Sequence, residues 1–440
     1  MSFNKVSQFL TRQIDIATLV LFRIAFGLIM TWEVCRYFSN NWIYEAFCYP
    51  RFHFSYEGFS WVNAWPGNGP FIHFFILGLC SLFITIGFLY RIASALFFLG
   101  FSYIFLIDQG NYLNHFYLII LISFIMIFLP ANKSFSVDAK IFPKIKTDWA
   151  PNWTVWWLKI QLGITYFFGG IAKINSDWLQ GEPLRSWISR GVNDPIFGLF
   201  TTNEWFIYTL SYGGLLLDLL AFPLLLSKKT RIPTTIALLL FHLFNAYWFQ
   251  IGIFPWFMIA ATAIFYPPES LRFWEKKQAL APSKFRLQKW ALWGLGIYMS
   301  AQILVPFRHL LYDGNVSWTE EGHRFSWHMK LRDKDCDTQF LVADMATNDV
   351  YNVDLTTFLT ERQIRKMSNR PVMIIQFAHY LSDNMSKKLN RHASVFVTSS
   401  CSLNGRPAAE LIDSEVDLSK VEYPFYKKAD WIIPLEVPLN

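Results

Sequence analysis

Apolar stretches fill this chain up to about Pro306 and then stop. A helix needs about 20 predominantly apolar residues to cross the hydrocarbon core of a bilayer. Nine segments read as candidates: 16–35, 71–89, 92–108, 112–130, 154–172, 204–226, 232–249, 251–267 and 290–306. Only 16% of the residues are charged, against roughly 25% in soluble domains. The first segment follows Lys5 and Arg12 as a signal peptide would. It is too long for a signal core and lacks a small-residue cleavage pattern, so it reads as an anchor.

Charge placement fixes an expected orientation, because basic residues concentrate on the cytoplasmic side. With the N-terminus inside, the inner segments hold sixteen Lys and Arg, from Lys5 and Arg12 through Arg91 and the 133–146 group to the loop of Arg272, Lys276, Lys277, Lys284, Arg286 and Lys289. The outer segments hold five: Arg36, Arg51, Lys173, Arg185 and Arg190. An odd number of spans then puts the tail outside, in a bacterial periplasm or in the lumen of the endoplasmic reticulum. The net charge of +7 is thereby accounted for by the bilayer and not by a nucleic acid. The expected fold is a polytopic α-helical membrane protein of about nine transmembrane helices, residues 1–306. A C-terminal, β-rich α+β extracytoplasmic domain, residues 307–440, follows it. Within the tail, 340–342, 372–377 and 394–398 read as strands, and 358–368 and 378–390 as helices.

Five cysteines show no metal-ligand spacing. Cys35 and Cys80 lie in apolar runs and read as packing residues, leaving a disulfide open among Cys48, Cys336 and Cys401. The outer segment 37–70 is rich in aromatics (Trp42, Phe52, Phe54, Tyr56, Trp61 and Trp65 among them) and reads as an interfacial belt.

Polar residues in apolar spans are expensive and are functional candidates by default. Asp108, Asn114 and His115 frame a tight turn between the third and fourth segments; Lys173, Asp177 and Trp178 close the fifth. Asp218 lies within the sixth, and His242 with Asn245 within the seventh. Under the charge-derived topology most of these share the outer depth. Each has a structural alternative: Lys173 snorkelling, Asp108 capping, His242 and Asn245 bonding between helices, Asp218 a neutral or paired structural carboxyl. Together they suggest chemistry. Desolvation pushes a buried lysine toward its neutral form, which is a general base, and a histidine nearby can hold the amine or a developing oxyanion. Aromatic surroundings (Trp156, Trp157, Tyr166, Phe167 and Phe168) suit a lipid-soluble acid such as a hydroquinone.

The run Tyr166-Phe-Phe-Gly-Gly-Ile-Ala-Lys173-Ile-Asn-Ser-Asp177-Trp178-Leu-Gln-Gly181 resembles the catalytic-lysine segment of vitamin K-dependent gamma-glutamyl carboxylases. Leu21-Phe22-Arg23 through Gly27, Tyr90-Arg91, Asp108 with Asn114-His115, Gly213-Gly214 through Asp218, and Phe241-His242 through Asn245 match in the same order. The resemblance implies that Lys173 deprotonates a vitamin K-type or menaquinol-type hydroquinone and that His115 is its hydrogen-bonding partner. O2 then yields an epoxide through a strongly basic oxygenated species, which removes a γ-proton from a peptidyl glutamate, and the carbanion takes CO2. Asn114, Asp177, Trp178, His242, Asn245 and Asp108 would line or brace the quinone pocket, and no metal is required. Arg324, Phe325, Ser326 and Trp327 resemble the family's glutamate-binding region, with flanks more basic than usual (His323, His328, Lys330 and Arg332). Two rivals stand beside this reading: a hydroquinone epoxidase without peptide carboxylation, and a non-catalytic membrane quinone or lipid carrier.

Overall fold

The computed structural model describes residues 3–275, 289–424 and 427–436. Four basic residues of the last inner loop, Lys276, Lys277, Lys284 and Arg286, lie outside the described residues. A helix stands at each of the nine apolar segments: α1 (Ala17–Ser39), α2 (Gly69–Ile86), α3 (Tyr90–Ile107), α4 (Asn114–Phe128), α5 (Asn152–Ile171), α6 (Glu204–Leu226), α7 (Arg231–Phe249), α8 (Phe254–Thr262) and α9 (Lys289–Leu304). Five of them, α1, α2, α3, α6 and α7, are long and apolar enough to cross a membrane. Among the described residues, five of the nine expected spans meet that measure. α4 is apolar but shorter, and so is α8 with the tight turn that follows it. α5 has the length but carries Asn152, Lys159 and Gln161 in its run.

Two charged networks mark one end of the helices. Arg23, almost wholly buried, donates to the carbonyls of Ala131 (2.8 Å) and Phe135 (2.6 Å). Asp138 accepts from the backbone of Leu89 (2.8 Å) and Tyr90 (3.1 Å) and so caps the start of α3. Nearby, Arg272 pairs with Asp15 at 2.7 Å and Asp148 at 3.1 Å. Buried charges tolerate such positions only when paired and hydrogen-bonded.

The C-terminal domain docks on the opposite end. Its sheet is antiparallel, in the order β4 (Asp349–Asn352), β3 (Lys334–Asp344), β5 (Ser394–Leu403), β6 (Ala409–Glu410), while β1 (Gln13–Asp15) and β2 (Trp149–Pro151) form a separate small ladder. Cys336 faces Cys401 directly across β3 and β5, and the two form a disulfide. Cys48 stays free, and Cys35 is exposed instead of packed. The strand expected at 372–377 is the first part of a helix. α10 (Glu361–Ser368) opens on a Thr360–Gln363 capping box, and α11 (Pro371–Leu389) opens on a proline. Proline in the first turn has a backbone angle suited to a helix. A run buried on several faces cannot be told from a strand by periodicity. With this helix across its centre the domain is α+β, less β-rich than expected.

The joint is polar and specific. Asp177 accepts two hydrogen bonds from the Arg406 guanidinium, each 2.7 Å, and a third from Asn404 at 2.7 Å. Burial alone would raise the Asp177 pKa, but the bonds from Arg406 and Asn404 outweigh it and hold the carboxyl below its usual range. Phe52 and Phe54 leave the 37–70 segment to pack in the domain's core, with Phe52 against Phe377 and Tyr380. Trp61 and Trp65 of the same segment remain exposed, so only part of it keeps the belt-like character. The charge asymmetry, together with the docked tail, predicts opposite sides for the two ends of the helices. Reporter fusions at Ser227 and after Pro306 are expected to give opposite sidedness, and equal sidedness would refute the orientation.

Candidate functional site

Two helices approach closely because glycines face the contact. A Cβ at Gly163 would lie 2.6 Å from the Phe222 ring, and one at Gly170 would lie 2.9 Å from the backbone nitrogen of Leu219. Small residues let helix backbones approach in membranes. The seam between α5 and α6 brings the end of α5 against the middle of α6. There Lys173 Nζ meets Asp218 Oδ2 at 2.6 Å and also donates to the Gly169 carbonyl at 3.1 Å, one turn back. Both residues are 5% exposed. Asn175 caps the following turn by accepting from Trp178 N at 3.0 Å, which turns the chain so that the Trp178 ring lies 5.2 Å from the Lys173 ammonium. Asp218, a candidate in the sequence with a neutral or paired structural carboxyl as its alternative, is thus the direct partner of the lysine.

Around this pair lies an apolar cavity of about 420 Å³, within the size range of small-molecule sites. Phe241, Phe244, Leu217 and Trp178 supply its walls, and Gly213 and Gly214 thin the α6 side. Asn245 reaches it while donating to the Phe241 carbonyl at 2.8 Å. His242 reaches it too, with Nε2 2.9 Å from the Tyr166 hydroxyl and Nδ1 without a partner among the described residues. The polar groups therefore converge from three helices on one apolar space.

A second cavity, about 730 Å³, adjoins the first. Trp187, Phe249, Ile251, Phe254, Met329 and Lys330 line both. His115 and Asn114 belong to this second space. Phe254 stands between the two histidines, its ring 5.8 Å from His115 and 6.0 Å from His242. Lys173 makes its bonds to Asp218 and Gly169, and His115 forms none with it among the described residues. Asn114 donates to the His328 carbonyl at 3.1 Å, tying α4 to the tail.

Basic residues dominate the second cavity. Arg36 sits between Trp32 and Trp42, at 5.6 and 5.0 Å, and pairs with Glu33 at 2.6 Å. From the tail come Arg332, Lys334, Arg362, Arg365, Lys366 and Arg370. Neighbouring charge, Arg370 foremost, then burial, lowers the Lys366 pKa to about 7. Burial first, with Arg332 and Arg370 against the pull of Glu320, lowers Lys334 to about 7. A cavity whose cations depress one another is matched to anionic ligands.

The remaining candidates serve the joint. Asp108 accepts from Gly110 N (2.7 Å) and Gln363 (2.9 Å) and lies 3.3 Å from His53, away from both cavities. Asp177 likewise holds the tail. Phe325 packs edge-on against Tyr112 (5.5 Å) and Tyr117 (4.9 Å), and Trp327 lies 5.0 Å from Tyr117. Ser326 donates to the Gly322 carbonyl at 2.7 Å, and Arg324 lies over Tyr56 at 5.9 Å. Sequence reasoning did not single out Arg36 or the α10 cations. The Glu33-x-x-Arg36 spacing at the end of a span was the available signal for the first.

The fold and the two cavities define a polytopic helical membrane protein whose sheet-containing domain roofs an apolar cavity. Two family models match the sequence: the HTTM domain over residues 11–269 and the vitamin K-dependent gamma-carboxylase, lumenal domain, over residues 287–437. The chain belongs to the vitamin K-dependent gamma-carboxylase family. No solved structure matches it.

The glycine seam makes one demand that can be measured. Gly170→Ala places a methyl against backbone that cannot yield, and overpacking of this kind costs about 1–3 kcal/mol. The variant is expected to melt at a lower temperature in detergent than Gly213→Ala, where a Cβ meets open space. Equal melting of the two would show that the seam is not tight.

Proposed function

We propose that the chain couples O2-dependent epoxidation of a vitamin K-type or menaquinol-type hydroquinone to carboxylation of peptidyl glutamate by CO2. The observation that carries this reading is the buried Lys173–Asp218 pair, 2.6 Å apart, at an apolar cavity of hydroquinone size. With O2 the hydroquinone supplies the oxidative chemistry, so that glutamate and CO2 become γ-carboxyglutamate while epoxide, water and one proton are released. Unprotonated Lys173 accepts a hydroxyl proton, and Asp218 holds the ammonium that forms. Trp178, His242 and Asn245 orient the ring, while His115, Asn114 and the basic wall receive the carboxylated side chain.

Hydroquinone epoxidation without peptide carboxylation is favoured by one observation: Phe325 and Trp327 are engaged with the aromatic core. Purified protein given reduced quinone, O2, labelled CO2 and a glutamate peptide separates the two when epoxide and labelled peptide are both scored. The tail's position outside the cytoplasm is part of the same proposal.

Lys173→Ala is expected to abolish epoxide formation, and Lys173→Arg not to restore it, because a guanidinium stays protonated and cannot accept the proton. Near-normal turnover in Lys173→Arg membranes would remove Lys173 as the base. The second cavity makes a pH prediction. Both Lys334 and Lys366 have pKa values lowered to about 7, so their charge is complete below that and fades above it. Affinity for a glutamate-rich peptide should therefore fall as pH rises from about 6 to about 8. Titration by fluorescence anisotropy checks this, and affinity flat across that range would contradict it.

A further inference from the structure

We infer that Lys330 binds the ionised oxygen of an aromatic, quinol-type ligand from the wall that the two cavities share. The inference rests on the quinol reading of the first cavity and adds to it a residue from the docked domain. Lys330 lines both cavities, and its ammonium lies 5.1 Å from the Trp187 ring and 4.8 Å from the Phe249 ring, which also line both. Aromatic faces attract a cation through their quadrupole but do not neutralise it.

The contrast with Lys173 decides the role. Lys173 is matched by Asp218 at 2.6 Å. Lys330 has no carboxylate at ion-pair distance among the described residues. The neighbouring acid, Asp333, is engaged by Arg190. Of the two lysines lining the quinol cavity, Lys330 is thus the one whose charge is left for a ligand. When a hydroxyl proton passes to Lys173, negative charge remains on the ring oxygen. An ammonium that is not already paired stabilises that charge through a charge-assisted hydrogen bond.

The backbone supports the assignment. Lys330 has φ of 52°, and Phe325 and Trp327 in the same stretch have 65° and 58°. Such left-handed values are uncommon for residues with side chains and gather at sites where geometry is held for function. Met329, the residue before, has its terminal methyl 2.9 Å from where a Cβ on Gly169 would stand, which places this loop directly against the end of α5. Burial lowers the Lys330 pKa, against the pull of Asp333, and an ionised ligand oxygen beside it would restore the charged form.

The test compares two probes of nearly equal size on the full-length protein in detergent: 2-hydroxy-1,4-naphthoquinone, ionised at neutral pH, and neutral 1,4-naphthoquinone. Lys330→Met is expected to weaken the anionic probe about tenfold or more, the scale of one hydrogen bond to a charged group, and to change the neutral probe less than about twofold. Lys330→Arg is expected to keep the preference for the anion. Retained binding of the neutral probe shows that each variant is folded. Equal loss of both probes, or no loss of either, would overturn the role of Lys330. A wild-type protein that binds neither probe would overturn the quinol reading itself, and this inference with it.

Discussion

The Lys173–Asp218 ion pair is the interaction on which the rest of the arrangement depends. Removing two charges from water costs several kcal/mol per ion, and a buried pair often returns no more than that. Stability alone is therefore a poor reason for it. The helices around it are shaped to keep it: Gly163 and Gly170 draw α5 onto α6, the Gly169 carbonyl takes a second hydrogen bond from the amine, and the Trp178 ring covers it. The cost of the pair is met by the packing of two helices. In return an amine is fixed at the edge of an apolar cavity with a carboxylate ready to balance its charge.

The docked domain completes what the helices leave open. Asp177 with Arg406 and Asn404, Asp108 with Gln363, and Asn114 with the His328 carbonyl are three separate polar joints between helix ends and tail. They hold the segment from His323 to Arg332 as a roof over both cavities. Several residues that the family resemblance grouped around a quinone are thus divided between two tasks. Lys173, Trp178, His242 and Asn245 face the apolar cavity, whereas Asp108 and Asp177 hold the roof above it. His115 falls on the far side of Phe254, in the cationic cavity.

The helical segments were legible because long apolar runs have few other stable arrangements in a bilayer, where every backbone group must be satisfied within the segment. The motif around Lys173 was legible because a lysine beside an apolar run is costly and conspicuous. Less was readable where one pattern serves two structures. The apolar run after Pro371 fits a buried strand or a buried helix, and the disulfide of Cys336 with Cys401 required the β3–β5 register that pairs them. The aromatic segment 37–70 could not disclose that Phe52 and Phe54 pack in the core of the C-terminal domain.

By itself the sequence determined the class: a chain of apolar helices with a water-soluble tail, basic residues weighted to one side, and polar groups at matching helix ends. Those properties follow from composition and from spacing along the chain. Only the tertiary structure decided which polar group meets which. It gave Lys173 the carboxylate of Asp218 instead of the imidazole of His115, separated an apolar cavity from a cationic one, and put Lys330 in the wall between them. The reason is geometric. Hydropathy sets how deep a residue lies, but the rotation of each helix about its axis, set by close contacts such as Gly170 on Leu219, decides which side chains share a cavity.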